Sequence, residues 1–256
     1  MNTLAWLAVI LLVLMVLIGG RKGLRSFIAL VLNFGVIIIS IFVMLDPTGD
    51  PVIVTIIGST VISAITLFYI NEVNSTTKTA FISTVITIVI LIFFIVIMTD
   101  AAMIQGFSEE EIGELQPFSL YIGVDFVRIG ASMIIISAIG AITDIAMSVA
   151  SPMREIFNHN QSISRKELFG WGLTIGRDIL GSNSNTLFFA FFGGYLALLI
   201  WFKDLSYSLG EIVNSKVFSA EMITILCAGI GIALAIPITS WITAYFLVKT
   251  REKETD

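Results

Sequence analysis

The segment from Ile129 to Ala150 reads IGASMIIISAIGAITDIAMSVA and holds one charged residue, Asp144, in 22 positions. An α-helix rises about 1.5 Å per residue and the hydrocarbon core of a bilayer is about 30 Å thick. A helix of this length and composition therefore crosses a membrane. The segment predicts a membrane-spanning helix, and with it an α-helical membrane protein.

The rest of the chain has the same character. Hydrophobic residues make up 57% of the sequence and charged residues 13%, and the mean hydropathy is +0.99, whereas soluble domains carry about 25% charged residues. We expect one polytopic, all-α transmembrane domain over residues 1–256 with about seven transmembrane helices. The apolar runs behind this count are 3–19, 26–45, 52–70, 80–98, about 129–150, about 185–202 and 219–248.

The basic residues predict the orientation, because Lys and Arg in short loops stay on the cytoplasmic side. When the loops are assigned alternately to the two sides, one side receives most of the 14 basic residues. The N-terminus is then expected outside and the C-terminus in the cytoplasm. The residues on the cytoplasmic side are Arg21, Lys22, Arg25, Lys78, Arg154, Arg165, Lys166, Arg177, Lys249, Arg251 and Lys253.

Two connections are long enough to hold structure of their own. The outer one, about 99–124, contains an acidic run and is expected to be a solvated loop. In the inner one, Ser164 and Glu167 have the spacing of a capping box, which predicts the start of a helix. Leu168, Trp171, Ile175 and Ile179 follow at helical spacing. This predicts an amphipathic helix over about 164–181 on the cytoplasmic surface, ended by Gly181.

Signatures of catalysis and of metal binding are missing from the sequence. The chain has one cysteine, Cys227, and one histidine, His159, which excludes a Cys- or His-based metal cluster. The sequence contains neither a phosphate-binding P-loop nor a G-x-S-x-G elbow, and its net charge of -5 argues against nucleic acid. We expect no enzymatic activity, no cofactor and no metal, and the lipid bilayer as the first partner.

Within the opening segment, small and polar residues recur at spacings of 7, 4, 3 and 4, which places them on one helix face. The residues are Gly130, Ser137, Ala141, Asp144 and Ser148. A charged side chain at membrane depth costs at least about 2.5–3.5 kcal/mol, so such a face is expected to meet protein or water. Asp144 is the one carboxylate in this stripe.

Two interpretations of Asp144 stay open. It is either a proton or cation coupling site, with Ser137 and Ser148 beside it, or a carboxylate hydrogen-bonded to neighbours that holds helices in register. Four further polar residues are candidates for lining a pathway: Thr143, Asn183, Asn185 and Thr239. The run 182–186 is expected to cap the sixth helix or to line an inner mouth, and Pro237 is expected to kink the seventh helix.

Three segments together resemble the YibE/F family of bacterial membrane proteins: GRKGLR at 20–25, GAITDIAMSVASPMRE at 140–155 and GRDILGSNSNTLFFAFFGG at 176–194. The resemblance covers most of the chain and is to the shorter, YibF-like member. It implies a multi-pass protein of the bacterial plasma membrane, encoded beside a longer, YibE-like relative that is a candidate partner, with a homo-oligomer as the other assembly. It does not imply an established activity.

A more distant similarity is to the membrane regions of RND permeases and of SecD/SecF. It would make Asp144 a proton-relay aspartate, but the chain has a single such aspartate and no matching lysine. The leading interpretation is thus a subunit of a membrane transport or export system, coupled to protons through Asp144. The alternative is a non-transporting scaffold that stabilises a partner membrane protein.

Overall fold

The computed structural model describes residues 2–46, 48–104, 125–204 and 206–255, and every regular element within them is helical. This confirms the all-α fold class. The helices are α1 (Thr3–Met44), α2 (Pro51–Ala64, continued by a π-helical turn, Ile65–Tyr69), α3 (Ser75–Ala102), α4 (Phe126–His159), α5 (Arg165–Gly194), α6 (Leu196–Asp204), α7 (Leu209–Asn214) and α8 (Lys216–Thr255).

Short polar side chains fix where the helices start. Asp50 accepts from the Val52 N–H at 2.9 Å at the start of α2, and Asn74 accepts from the Thr77 N–H at 2.9 Å at the start of α3. Such caps satisfy backbone donors that have no partner inside the helix. The local sequence therefore sets these boundaries.

The first two apolar runs lie in one helix that bends sharply. Gly20 has φ 55° and ψ −131° inside α1, a conformation that glycine adopts at little cost. A β-carbon built on Gly23 would lie 1.7 Å from the Met15 carbonyl oxygen, although residues eight apart in a straight helix are separated by about 12 Å. Before the bend α1 is largely exposed, and all its buried residues follow the bend.

Helices α3, α4 and α8 form the centre of the molecule. Their apolar side chains make one core that includes Leu91, Ile134, Ile142, Ile145 and Ile232. Helices α3 and α4 are antiparallel, because Arg154 donates to the Ser75 hydroxyl at one end and Gly130 packs against Ile104 at the other. Helix α2 packs on α4, and the second half of α1 packs on α2.

Helix α5 runs antiparallel to α8 along its whole length. Gly172 faces Ser240, Gly176 faces Ile236, and the Tyr195 hydroxyl donates to Glu221 at 2.8 Å. The predicted helix end at Gly181 is therefore wrong, and so is the prediction that residues 182–186 cap a new helix. Gly181 keeps a negative φ, and the helix continues through these polar residues because it keeps packing against α8 and the side chains bond within the helix.

Five helices are long and apolar enough to cross a membrane among the described residues: Thr3–Met44, Pro51–Tyr69, Ser75–Ala102, Phe126–His159 and Lys216–Arg251. Two runs that were counted separately in the sequence, 3–19 and 26–45, fall within the first of them. The run about 185–202 is divided between α5 and α6. A count of seven spans stays a prediction.

The predicted acidic loop, about 99–124, lies for the most part outside the described residues. Its first residues are described and are not a loop. Helix α3 continues to Ala102, and Thr99 is fully buried with its hydroxyl donating to the Ile95 carbonyl. The predicted start of this loop is thus wrong, because an internal hydrogen bond and burial extend the helix.

Candidate functional site

The small and polar residues of α4 divide between two environments. Ser137, Gly140, Asp144 and Ser148 form one exposed strip along the helix, which we call the α4 face. Gly130 is buried instead, because the chain just after α3 approaches it so closely that a β-carbon would lie 2.7 Å from the Ile104 carbonyl oxygen. The described part of the chain thus leaves the α4 face uncovered.

The opposite side of α4 is fully packed. Four of its apolar residues are fully buried and belong to the main core: Ile134, Ile142, Ile145 and Val149. The side chain of Thr143 also points inward, where its hydroxyl lies 3.3 Å from the Ser63 hydroxyl of α2. Thr143 therefore connects α4 to α2 and lies on a different side of the helix from Asp144.

Asp144 lies well inside the span of α4. It follows Arg128 by sixteen residues and precedes Arg154 by ten, which corresponds to about 24 Å and about 15 Å along the helix. At the first of these two ends, Arg128 pairs with Asp50 and lies 3.7 Å from Asp125. No ion pair of Asp144 occurs within the described residues.

Helix α5 carries a second exposed polar strip. Arg177, Asp178, Gly181 and Asn185 are exposed, and Asn183 is half-buried with its amide donating to the Ile179 carbonyl at 2.8 Å. Helix α8 packs against both α4 and α5. These contacts place Arg177 of α5 and Asp144 of α4 within roughly one helical turn of each other along the helix axes. Two side chains of opposite charge are thus uncovered at similar depth on different helices.

Thr239 has a different environment from these strips. Its hydroxyl is fully buried in α8 and has no hydrogen-bond partner within the described structure, as is also true of Thr243 and of Thr84 in α3. The neighbouring Ser240 is satisfied, since its hydroxyl donates to the Ile236 carbonyl at 2.7 Å. Thr239 is therefore an interior residue and does not share an exposed surface with Asp144 or Asn185.

The residues predicted for the amphipathic helix are partly as expected. The Ser164 hydroxyl accepts from the Glu167 N–H at 3.2 Å, which confirms the helix start. Leu168 is fully buried, whereas Trp171 is 47% exposed, so the chain itself covers the predicted apolar face only in part. The contact face is centred on Gly172 and Gly176, and Trp171 lies beyond its edge.

The glycines of this contact were missed in the sequence. A β-carbon would lie 2.5 Å from Ser240 Oγ at Gly172 and 2.1 Å from Ile236 Cγ2 at Gly176. Their spacing of four residues is the small-xxx-small pattern that lets membrane helices approach closely, and it was available as a signal. Among the described residues no group of three His, Cys, Asp or Glu could hold a metal ion.

The comparison with known families matches nearly the whole chain. The family described as YibE/F-like protein matches residues 7–249. The chain belongs to the YibE/F-like family. The predicted resemblance is thus confirmed, and the match includes both polar strips of this YibE/F-like protein. Comparisons with curated proteins and with solved structures gave no match, and the more distant similarity to RND permeases and SecD/SecF stays a prediction.

Proposed function

We propose that this multi-pass YibE/F-like protein is a subunit of a bacterial plasma-membrane transport or export system in which a partner chain covers the α4 face. The observation that carries the proposal is the uncovered carboxylate of Asp144 far from both ends of α4. A carboxylate at such depth is unfavourable against lipid tails and usually belongs to a proton or ion pathway. A partner would enclose it.

The partner that this proposal favours is the longer, YibE-like relative, with a second copy of this chain as the other candidate. The α4 face suits close helix packing, because a β-carbon at Gly140 would meet nothing within 4 Å and because small residues allow backbones to approach in lipid. Asp144 would then lie at the junction of two chains, where a water-filled path could form without opening the packed core.

In the proposed cycle the Asp144 carboxyl takes up a proton from one side of the membrane and releases it to the other. Ser148 lies one helical turn away on the same face and could donate a hydrogen bond to the ionised carboxylate. The Ser137 hydroxyl, two turns away, donates to the Met133 carbonyl at 2.9 Å and keeps lone pairs that could accept from water.

The orientation that accompanies the proposal has the N-terminus outside and seven crossings. Lys216 Nζ donates to the Ala102 carbonyl at 2.9 Å, so α8 begins at the end of the molecule where α3 ends. The chain must therefore return from the Arg165 end to the Lys216 end, and α5, 30 residues or about 45 Å long, covers this distance. The two halves of α1, before and after Gly20, supply the remaining two membrane crossings.

The test is a flux assay in proteoliposomes that contain this chain and its longer relative, with a pH gradient across the membrane. Asp144→Asn preserves the size of the side chain but cannot ionise, so we expect normal co-purification of the two chains and loss of proton-driven flux. Asp100→Asn, which alters an exposed aspartate near the end of α3, is the matched control and should leave flux unchanged. Equal flux for Asp144→Asn and the unaltered chain would contradict a role of Asp144 in proton coupling.

The alternative, a non-transporting scaffold, is favoured by the same small and uncovered residues and predicts a different result. Gly140→Leu would then prevent co-purification with the partner, while no solute flux of the assembly would respond to Asp144→Asn. The two measurements, co-purification and flux, separate a docking role of the α4 face from a coupling role.

A further inference from the structure

Two adjoining cavities lie at the end of the molecule where α3 begins and α4 ends. One has a volume of about 190 Å³ and a polar lining that includes Arg154, Asn158, Gln161 and Arg251. The other has a volume of about 380 Å³ and an aromatic and aliphatic lining formed by Phe68, Phe81, Ile82 and Phe246, with Lys78 beside them. Ser75 and Thr250 line both cavities, so the two lie side by side.

The polar cavity is built to hold its arginines in place. Arg154 donates to the Ser75 hydroxyl and, at 3.3 Å, to the Thr76 hydroxyl. Arg251 donates to the Gln161 carbonyl and, at 3.1 Å, to the Ile163 carbonyl. Neutral hydroxyl and carbonyl groups thus orient both guanidinium groups.

The cavities together carry positive charge in a chain whose net charge is negative. Lys78 and Arg154 contribute two cations that have no ion pair within the described structure, and none of the described residues that line either cavity is acidic. Ser75 is also the first residue of α3, and the start of a helix carries partial positive charge. This combination favours an anion.

We propose that the two cavities form a binding site for an anionic phospholipid, with the phosphate in the polar cavity and the start of an acyl chain along the aromatic one. Guanidinium groups match the geometry of phosphate oxygens. Basic pockets between membrane helices on the cytoplasmic side bind anionic head groups. The polar cavity alone would also suit free phosphate, but the mostly apolar cavity beside it favours a ligand that also has a hydrocarbon part.

The site is separate from the α4 face and does not depend on transport. Its elements are the start of α3, the end of α4 and the last turns of α8, whereas Asp144 lies ten residues from Arg154 along α4. A lipid here would bridge three helices of the central bundle. Its binding should therefore stabilise the folded chain by mass action.

Native mass spectrometry of the full chain in detergent, titrated with phosphatidylglycerol or with phosphatidylcholine, tests the proposal. We expect phosphatidylglycerol to remain bound at the lower concentration and to raise the melting temperature. Lys78→Gln combined with Arg154→Gln should weaken its retention by about tenfold or more, because each basic residue contributes to attraction of the anionic head group. The matched control is Arg21→Gln combined with Lys22→Gln, which alters exposed cations outside the cavities and should retain the lipid.

If the double variant does not fold, Lys78→Gln alone is used instead, because the Lys78 side chain makes no hydrogen bond or ion pair within the described structure. Equal retention of the two lipids, or equal retention by the variants and the unaltered chain, would overturn the proposal. So would inorganic phosphate raising the melting temperature as much as phosphatidylglycerol does, because the apolar cavity would then have no role. All of these readouts are independent of flux, so they stand or fall separately from the proposed function.

Discussion

Single hydroxyl groups show how differently the same residue type is used in the interior. Thr143 and Ser63 share a hydrogen bond of 3.3 Å between α4 and α2. The hydroxyl of Thr239 is equally buried but has no partner in the described structure. Removing one member of a buried pair leaves the other unsatisfied, whereas removing an unpaired hydroxyl relieves a cost that is already present.

The same substitution at these two threonines should therefore have opposite effects. Thr143→Val is expected to lower the free energy of unfolding by about 1–3 kcal/mol, because the Ser63 hydroxyl loses its partner. Thr239→Val is expected to be neutral or stabilising. Thermal unfolding in detergent measures both. A clear loss of stability in Thr239→Val would show that its hydroxyl is satisfied by water or by a ligand, contrary to this expectation.

Helix α5 is the element for which the sequence and the structure differ most. Its charges predict a helix on the membrane surface, yet the helix packs along α8 from Gly172 and Ser240 to Tyr195 and Glu221. The close approach at Gly172 and Gly176 brings the two backbones together, so that α8 shields one side of α5 while its charges stay on the other. Helix packing, rather than local hydropathy, decides the path of α5.

A pair of glycine substitutions in α5 tests this packing. Gly176→Ala is expected to cost about 1–3 kcal/mol, because its β-carbon would overlap with Ile236 and force the two helices apart. Gly181→Ala is the matched control, since its β-carbon would meet nothing within 4 Å and alanine favours a helix by up to about 1 kcal/mol. Melting temperatures should move in opposite directions. An equal rise in the melting temperature of both variants would mean that α5 does not pack against α8 at Gly176.

On the scale of the whole molecule, the contacts arrange the charged groups at two ends. Arg25 pairs with Glu72 at 2.9 Å at one end, which also holds Arg154 and Arg251, and Arg128 pairs with Asp50 at the other. The end with Arg25 is the one that the basic residues predict to be cytoplasmic. The direction in which the chain crosses the membrane is therefore open to a direct test.

Single cysteines introduced into a Cys227→Ala background test the seven crossings. We expect a membrane-impermeant maleimide, added to intact cells, to label Asn2→Cys, Thr48→Cys and Ser208→Cys. Gln161→Cys should react only after the cells are opened, because it lies at the opposite end. All four positions are exposed. Labelling of Gln161→Cys in intact cells would indicate the opposite orientation. Protection of Ser208→Cys from the reagent would indicate that α5 does not cross the membrane.

The sequence by itself determined the helical class, most of the apolar segments, the helix start at Ser164 and the family. These features depend on local composition, on caps a few residues long and on similarity along the chain. Only the tertiary structure decided that the described residues leave the α4 face uncovered, that α5 follows α8 beyond Gly181 and that Arg154 and Arg251 share a cavity. Periodicity groups residues on one helix face, but the packing of neighbouring helices determines whether that face is buried.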